Sequence, residues 1–197
     1  MILSDAGIQE AIRQGRLDIS PIPQASQYTT SAVDLFLGEG FYGWDESKFS
    51  VPGISVTLNL AEQKFGSTAA GYLKPLPLER DGSFLLPPYH QSPRPVLAMT
   101  RERVHLKPGS KLAARVEGRS SLARIGLVVH LTAPIIHTNF NAAITLEMIN
   151  HGPFLLRLVP DKTVICQLIV EQLESEPLGD IRTEFQHQTS PAGKSKA

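Results

Sequence analysis

The stretch Ile144-Thr145-Leu146-Glu147-Met148 alternates apolar and polar side chains with a period of two. That spacing puts Ile144, Leu146 and Met148 on one face of a strand, and Thr145 and Glu147 on the other. The pattern recurs outward along the chain. Val33, Leu35 and Leu37 alternate with Ala32, Asp34 and Phe36, and Ile54, Val56, Leu58 and Leu60 alternate with Ser55, Thr57 and Asn59. Further strands are predicted over 96–100, 112–117, 127–132, 143–149, 154–159 and 164–170. Short strands separated by Gly, Pro and Asn turns at this spacing imply a β-sandwich, barrel or jelly roll. A helical pattern stands only at the N-terminus, where Ile8, Ala11 and Ile12 fall at i, i+3 and i+4. Ser4 suits its N-cap, Asp5 its first turn and Gly15 its end.

The chain has 197 residues and 42% hydrophobic composition, enough for one domain with a sizeable core. Fifteen Gly and 15 Pro agree with a fold of strands and turns. Residues 1–173 are read as a single domain. Within it, 61–95 form an irregular excursion carrying six prolines from Pro75 to Pro95. Residues 174–197 turn polar and are expected to be a mobile tail, of the kind that can order over a bound ligand.

Nineteen basic residues balance 19 acidic ones, which argues against a nucleic-acid polymer as partner. An anionic ligand must then be compact and held by a local group of cations. No apolar run reaches the roughly 18–20 residues that span a bilayer, so no membrane partner is expected. The opening MILSDAGIQEAIRQG lacks the cationic start and apolar run of a secretory signal. Cys166 is the single cysteine and sits in an apolar run, which reads as a buried small hydrophobe. A cytoplasmic setting is expected.

Several familiar motifs fail on context. Gly38-Glu39-Gly40-Phe41-Tyr42-Gly43 matches a dinucleotide-binding glycine pattern, but no helical stripe follows before Pro52 and Gly53. It reads as a turn between strands. Zinc-dependent cytosine deaminases use an H-x-E…P-C-x-x-C pattern, which one cysteine cannot supply. No histidine pair at i, i+4 marks a helical metal site, and no G-x-S-x-G elbow occurs. Neither zinc nor another protein-bound metal is expected.

The segment richest in donors is Gly118-Arg119-Ser120-Ser121-Leu122-Ala123-Arg124-Ile125-Gly126. Two guanidinium groups and two hydroxyls within six residues suit a di- or triphosphate, because arginine forks match phosphate oxygens. By composition alone the same segment could be a solvated polar turn.

The run from Arg115 to Leu127, then Val129-His130-Leu-Thr-Ala133, then Ile144-Thr-Leu-Glu147, resembles successive motifs of the dCTP deaminase family. Met1-Ile-Leu-Ser-Asp5, Gly15-Arg-Leu-Asp-Ile19, Ala32-Val-Asp34-Leu-Phe-Leu-Gly38 and Asn150-His-Gly152 are similar to further parts of that family. The resemblance covers residues 1–40 and 95–173. It implies a mainly all-β fold, a distorted β-barrel or jelly roll of the dUTPase-like type with a short N-terminal helix. It also implies a homotrimer with active sites between subunits. The implied reaction is hydrolytic, zinc-free deamination of dCTP, or a close cytosine deoxynucleotide, to dUTP and ammonia. Glu147 would be the catalytic carboxylate. Arg119, Ser120, Ser121 and Arg124 would hold phosphates, Ala133 would offer backbone groups to the base, and Phe140 and Gln188 would complete the substrate contacts. Mg²⁺ would ride on the triphosphate. His130 reads as a packed, hydrogen-bonded histidine.

Several positions depart from the family pattern, among them the turn Val159-Pro160-Asp161-Lys162, which replaces the commoner Pro-Gly. His137 stands where an aspartate is expected, and that aspartate is tied in the dUTPases to the sugar and to phosphate cleavage. Its loss argues against dUTP diphosphatase activity, with Asn139 or Asn141 as possible substitutes at the sugar. The tail offers Glu184, Gln186 and Gln188 where a Tyr/Lys/Gln motif is common. A nucleotide-binding regulatory relative without turnover is the alternative of another class.

Overall fold

The computed structural model describes residues 1–49, 55–61, 64–179 and 185–193. Helix α1 (Asp5–Arg13) starts as the sequence implies: the Ser4 hydroxyl accepts from the Gly7 amide at 3.2 Å, and Ile8 and Ala11 are buried. Gly15 follows with φ +68°, the left-handed conformation that glycine adopts without strain.

Among the described residues twelve strands follow: β1 (Leu17–Ser20), β2 (Val33–Phe36), β3 (Phe41–Trp44), β4 (Leu73–Leu76), β5 (Phe84–Leu86), β6 (Val96–Leu106), β7 (Leu112–Gly118), β8 (Leu127–Val128), β9 (Ile135–Ile136), β10 (Asn141–Asn150), β11 (Leu156–Leu158) and β12 (Val164–Gln172). A short helix, α2 (Ser120–Arg124), lies between β7 and β8. The larger sheet runs β4-β3-β6-β10-β8, with β1 also paired to β6; a second runs β2-β12-β7-β9, and β11 pairs with β5. Every named pairing is antiparallel. This is the mainly β architecture that the alternating pattern implied.

Strand β10 alternates as expected, with Ala142, Ile144, Leu146 and Met148 buried and Thr145 and Glu147 on the opposite face. Its pairing with β6 slips between Ala143 and Thr145. The Thr100 hydroxyl repairs the break: it accepts from the Ile144 amide at 2.9 Å and donates to the Glu102 carbonyl at 2.8 Å. A backbone donor that loses its ladder partner inside the fold thus keeps a hydrogen bond. Cys166 is fully buried among apolar residues, which pushes its thiol pKa up.

Three strand expectations need correction. The alternating run 55–60 forms no strand, and Val56, Leu58 and Leu60 are exposed; Ile54 lies outside the described residues. Alternation becomes a strand only where a ladder partner is engaged, and among the described residues this run pairs with none. The strand expected over 127–132 ends at Val128 because the chain there leaves β10 in one sheet to join β7 in the other as β9. The strand expected over 154–159 narrows to β11, leaving Phe154 and Leu155 exposed.

The glycine pair 38/40 forms the turn from β2 to β3, Gly40 having φ +89°. Strand β3, not a helix, starts at the end of this turn, so the dinucleotide reading is excluded here. Phe84 of β5 stacks on Phe41 with ring centroids 4.3 Å apart.

Candidate active site

A cavity of about 500 Å³ opens beside the outward face of β10. That volume lies in the range of small-molecule sites, roughly 300–1,000 Å³. Glu147, Ala133, Phe140 and Gln188 all line it, together with His137. The sequence reading therefore gathers four of its site residues in one place. Much of the remaining wall is apolar: Trp44, Phe65, Leu97, Ile136 and Phe185 are among its members.

Glu147 sits opposite Leu97 on β6. Its Oε2 accepts from the Leu131 amide at 3.4 Å. Burial against the apolar wall raises the pKa of Glu147, and the Leu131 amide and nearby His130 oppose that shift only in part. A carboxylate tuned upward by desolvation is suited to take a proton from water and give it back. His130 is packed, its Nε2 lying 3.8 Å from Glu117, but its Nδ1 has no hydrogen-bond partner among the described residues.

Arg119, Ser120, Ser121 and Arg124 do not line this cavity. Ser120, Ser121 and Arg124 are exposed on α2. Arg119 precedes that helix and is tied to the carboxylate of Asp34 at 3.4 Å, while Asp34 also accepts from Gln167 Nε2 at 2.9 Å. The far end of the segment is pinned by glycine. A Cβ on Gly126, whose φ is +93°, would lie 2.1 Å from the Gly152 amide nitrogen, and one on Gly152 would lie 1.9 Å from the Ile125 carbonyl oxygen. Only two glycines permit that approach, and His151 N donates to Gly126 O across it at 2.8 Å. The segment is thus an outward-facing feature that lies outside the lining of its own chain's cavity.

The tail reaches the cavity through residues 185–193. Gln186 Nε2 donates to Asn139 O at 2.6 Å, and Gln186 Oε1 accepts from Asn141 N at 3.0 Å. Gln188 Nε2 donates to Ala143 O at 2.8 Å. Phe185 meets Phe65, of the irregular segment, with ring centroids 5.9 Å apart. Glu184 lies outside the described residues. Trp44, Phe65 and Phe185 escaped the sequence reading because they converge only through tertiary structure. Thr145 also lines the cavity, and its place on the Glu147 face was open to the alternation argument.

With this geometry in hand, the comparison with known proteins is direct. A model of the family described as dCTP deaminase-like matches residues 2–173. The chain belongs to that family. Among curated relatives, the "dCTP deaminase, dUMP-forming" of Methanosphaera stadtmanae is 34% identical over 195 residues, covering 96% of this chain and 91% of the relative. The "dCTP deaminase" of Rhodospirillum rubrum is 32% identical over 205 residues, covering all of this chain and 92% of the relative. The crystal structure of 2′-deoxycytidine 5′-triphosphate deaminase from Agrobacterium tumefaciens superposes with a TM-score of 0.60 at 17% identity, over 86% of this chain. This chain spans about half of that one, 47%, and the likeness bears on the fold.

Proposed function

We propose that the protein hydrolytically deaminates dCTP to dUTP and ammonia, with Glu147 as general base and acid. The observation that carries this reading is a carboxylate with a raised pKa in the wall of an apolar cavity, beside Ala133 and Phe140. Glu147 accepts a proton as water attacks C4 of the cytosine. The ring then carries a tetrahedral carbon bearing both oxygen and nitrogen. Glu147 delivers that proton to the ring nitrogen, then takes the proton of the hydroxyl now on C4 and passes it to the amine, and ammonia leaves as the C4–N bond breaks and the C4 carbonyl forms. Ser120 and backbone carbonyl groups position the attacking water.

The phosphates are held by Arg119, Ser120, Ser121 and Arg124 of a neighbouring subunit, because these residues lie away from the cavity of their own chain. A homotrimer with sites between subunits supplies that arrangement. Among the described residues no group of three or more His, Cys, Asp and Glu side chains gathers as a metal site. The two arginines suit an anionic triphosphate that brings its own Mg²⁺, which supplies charge neutralisation there. A cytoplasmic setting accords with a nucleotide substrate.

Relatives named as dUMP-forming favour a second reading, in which the uracil nucleotide is cleaved further. His137, in the cavity wall where the family pattern has an aspartate, supports a reaction that stops at dUTP. Incubation with dCTP and Mg²⁺, following ammonia, dUTP, dUMP and pyrophosphate, tests both readings. Ammonia with dUTP and no pyrophosphate is expected. Pyrophosphate in step with ammonia would establish the second reading, and nucleotide binding without either product would make the protein a regulatory relative.

A further inference from the structure

Helix α2 cannot hold its own position. It is five residues long, none of them is buried, and no side chain caps its N-terminus. A helix that short gains too little from its own hydrogen bonds to be stable alone. Its place is set by attachments. Leu122 packs on the core, Arg119 is tied to Asp34 at one end, and the contact between Gly126 and Gly152 closes the other. That last contact is organised by Asn150, the final residue of β10. Asn150 is 1% exposed and lies on the core face of the strand, opposite the row that carries Glu147.

The Asn150 amide is committed at both ends. Nδ2 donates to Leu86 O at 3.2 Å and to Phe154 O at 2.7 Å, and Oδ1 accepts from Gly152 N at 3.0 Å. The two carbonyls can only accept and the Gly152 amide can only donate, so the orientation is fixed. The backbone carbonyl of Asn150 accepts from Tyr89 N at 2.6 Å, and His151 N donates to Gly126 O. Together these bonds shape a turn that presents Gly152 to the end of α2. Gly152 does not have a left-handed φ; what forbids a side chain there is the Ile125 carbonyl oxygen.

We infer, resting on the reading of α2 as the phosphate half of a two-chain site, that Asn150 is a positioning residue for that half. Through Gly152 and Gly126 it sets where Ser120, Ser121 and Arg124 stand. Strand β10 then has two separate duties. Glu147 serves the cavity of its own chain, while Asn150, on the same strand, serves the cavity of a neighbouring subunit. Displacing the end of a short helix by about an ångström is enough to misalign an arginine fork, whose bonds to phosphate depend on geometry.

Two variants test this. Gly152→Ala presses only on the Ile125 carbonyl, and Asn150→Asp sets a carboxylate oxygen against the Leu86 and Phe154 carbonyls. Either is expected to weaken dCTP, in KM and in direct binding, by about ten- to a hundredfold. Turnover at saturation and the binding of deoxycytidine should stay near wild type. Equal loss for dCTP and deoxycytidine, a fall in kcat with KM unchanged, or wild-type behaviour would each overturn the assignment.

Subunit exchange adds a readout that a merely damaged fold does not give. At dCTP concentrations well below the raised KM, Gly152→Ala should recover activity when co-refolded with Glu147→Gln. It should recover none with Arg124→Ala, because both variants then spoil the same half of every site. The reverse pattern, or recovery with both, would overturn the assignment. If Glu147→Gln and Arg124→Ala fail to complement each other, the two-chain reading falls instead. The contrast between dCTP and deoxycytidine binding still decides in that case whether Asn150 acts on the phosphate segment.

Discussion

The cavity beside β10 and the segment from Arg119 to Arg124 are opposites in every physical respect. The cavity is concave, largely apolar and holds one half-buried carboxylate whose pKa is pushed upward. The segment is convex, exposed and cationic, with its hydroxyls and its second arginine facing outward on α2. Each is incomplete as a nucleotide site. The cavity has room for a nucleoside but, among the described residues, no arginine or lysine in its wall, and the segment has donors for phosphate but no enclosure. Neither half is a whole site within one chain, and the homotrimer proposed above would bring them together. Such an association would also supply the desolvation that makes electrostatic contacts with phosphate strong.

The most severe way to break this comparison is at the carboxylate. Glu147→Gln should lower kcat by about 10²–10⁴-fold while dCTP still binds, because general acid–base transfer is lost and the cavity keeps its shape. Ammonia release is the readout, and retention of near wild-type turnover would remove Glu147 from the mechanism. At the other half, Arg124→Ala should weaken triphosphate binding by about 2 kcal/mol through loss of a charge-assisted bond. The same substitution should leave deoxycytidine, which has no phosphate, bound as before. Equal loss for both ligands would show that the segment does more than hold phosphate.

The smallest effect concerns stability. Burial keeps the folded-state pKa of Glu147 above its unfolded value, so the folded chain retains a proton where the unfolded chain has lost it. Stability therefore falls as pH rises from the ordinary glutamate range through the raised value. Glu147→Gln has no charge to desolvate. Its Tm should exceed that of wild type at neutral pH, and the difference should close below the ordinary glutamate range. Thermal unfolding across pH measures this directly.

Much of both halves was legible in the sequence, for different reasons. Glu147 could be placed because strand alternation is local, and the buried run Ile144, Leu146, Met148 leaves it only one face. Arg119 to Arg124 could be placed because its donors are consecutive. What was illegible depends on partners distant in the chain. The run 55–60 carries a strand pattern but pairs with no strand among the described residues, and pairing is decided by chain segments outside the run. The switch between sheets after Val128 is set by β9 pairing with β7, which no periodicity near residue 130 announces. The meeting of Phe65 with Phe185 joins residues 120 positions apart, and Asp34 reaches Arg119 across 85. Such contacts arise from topology and leave no local trace.

The measurement that tests the central claim most directly mixes two impaired proteins at a dCTP concentration too low to saturate Arg124→Ala. Glu147→Gln retains the phosphate segment, and Arg124→Ala retains the carboxylate. Unfolding and refolding the two together allows subunits to exchange. In a closed ring of copies, some sites then pair an intact carboxylate from one chain with an intact Arg124 from another. Ammonia release from dCTP should recover in the mixture well above the sum of the two variants refolded separately. A mixture of co-assembled subunits no more active than that sum would contradict a site built from two chains.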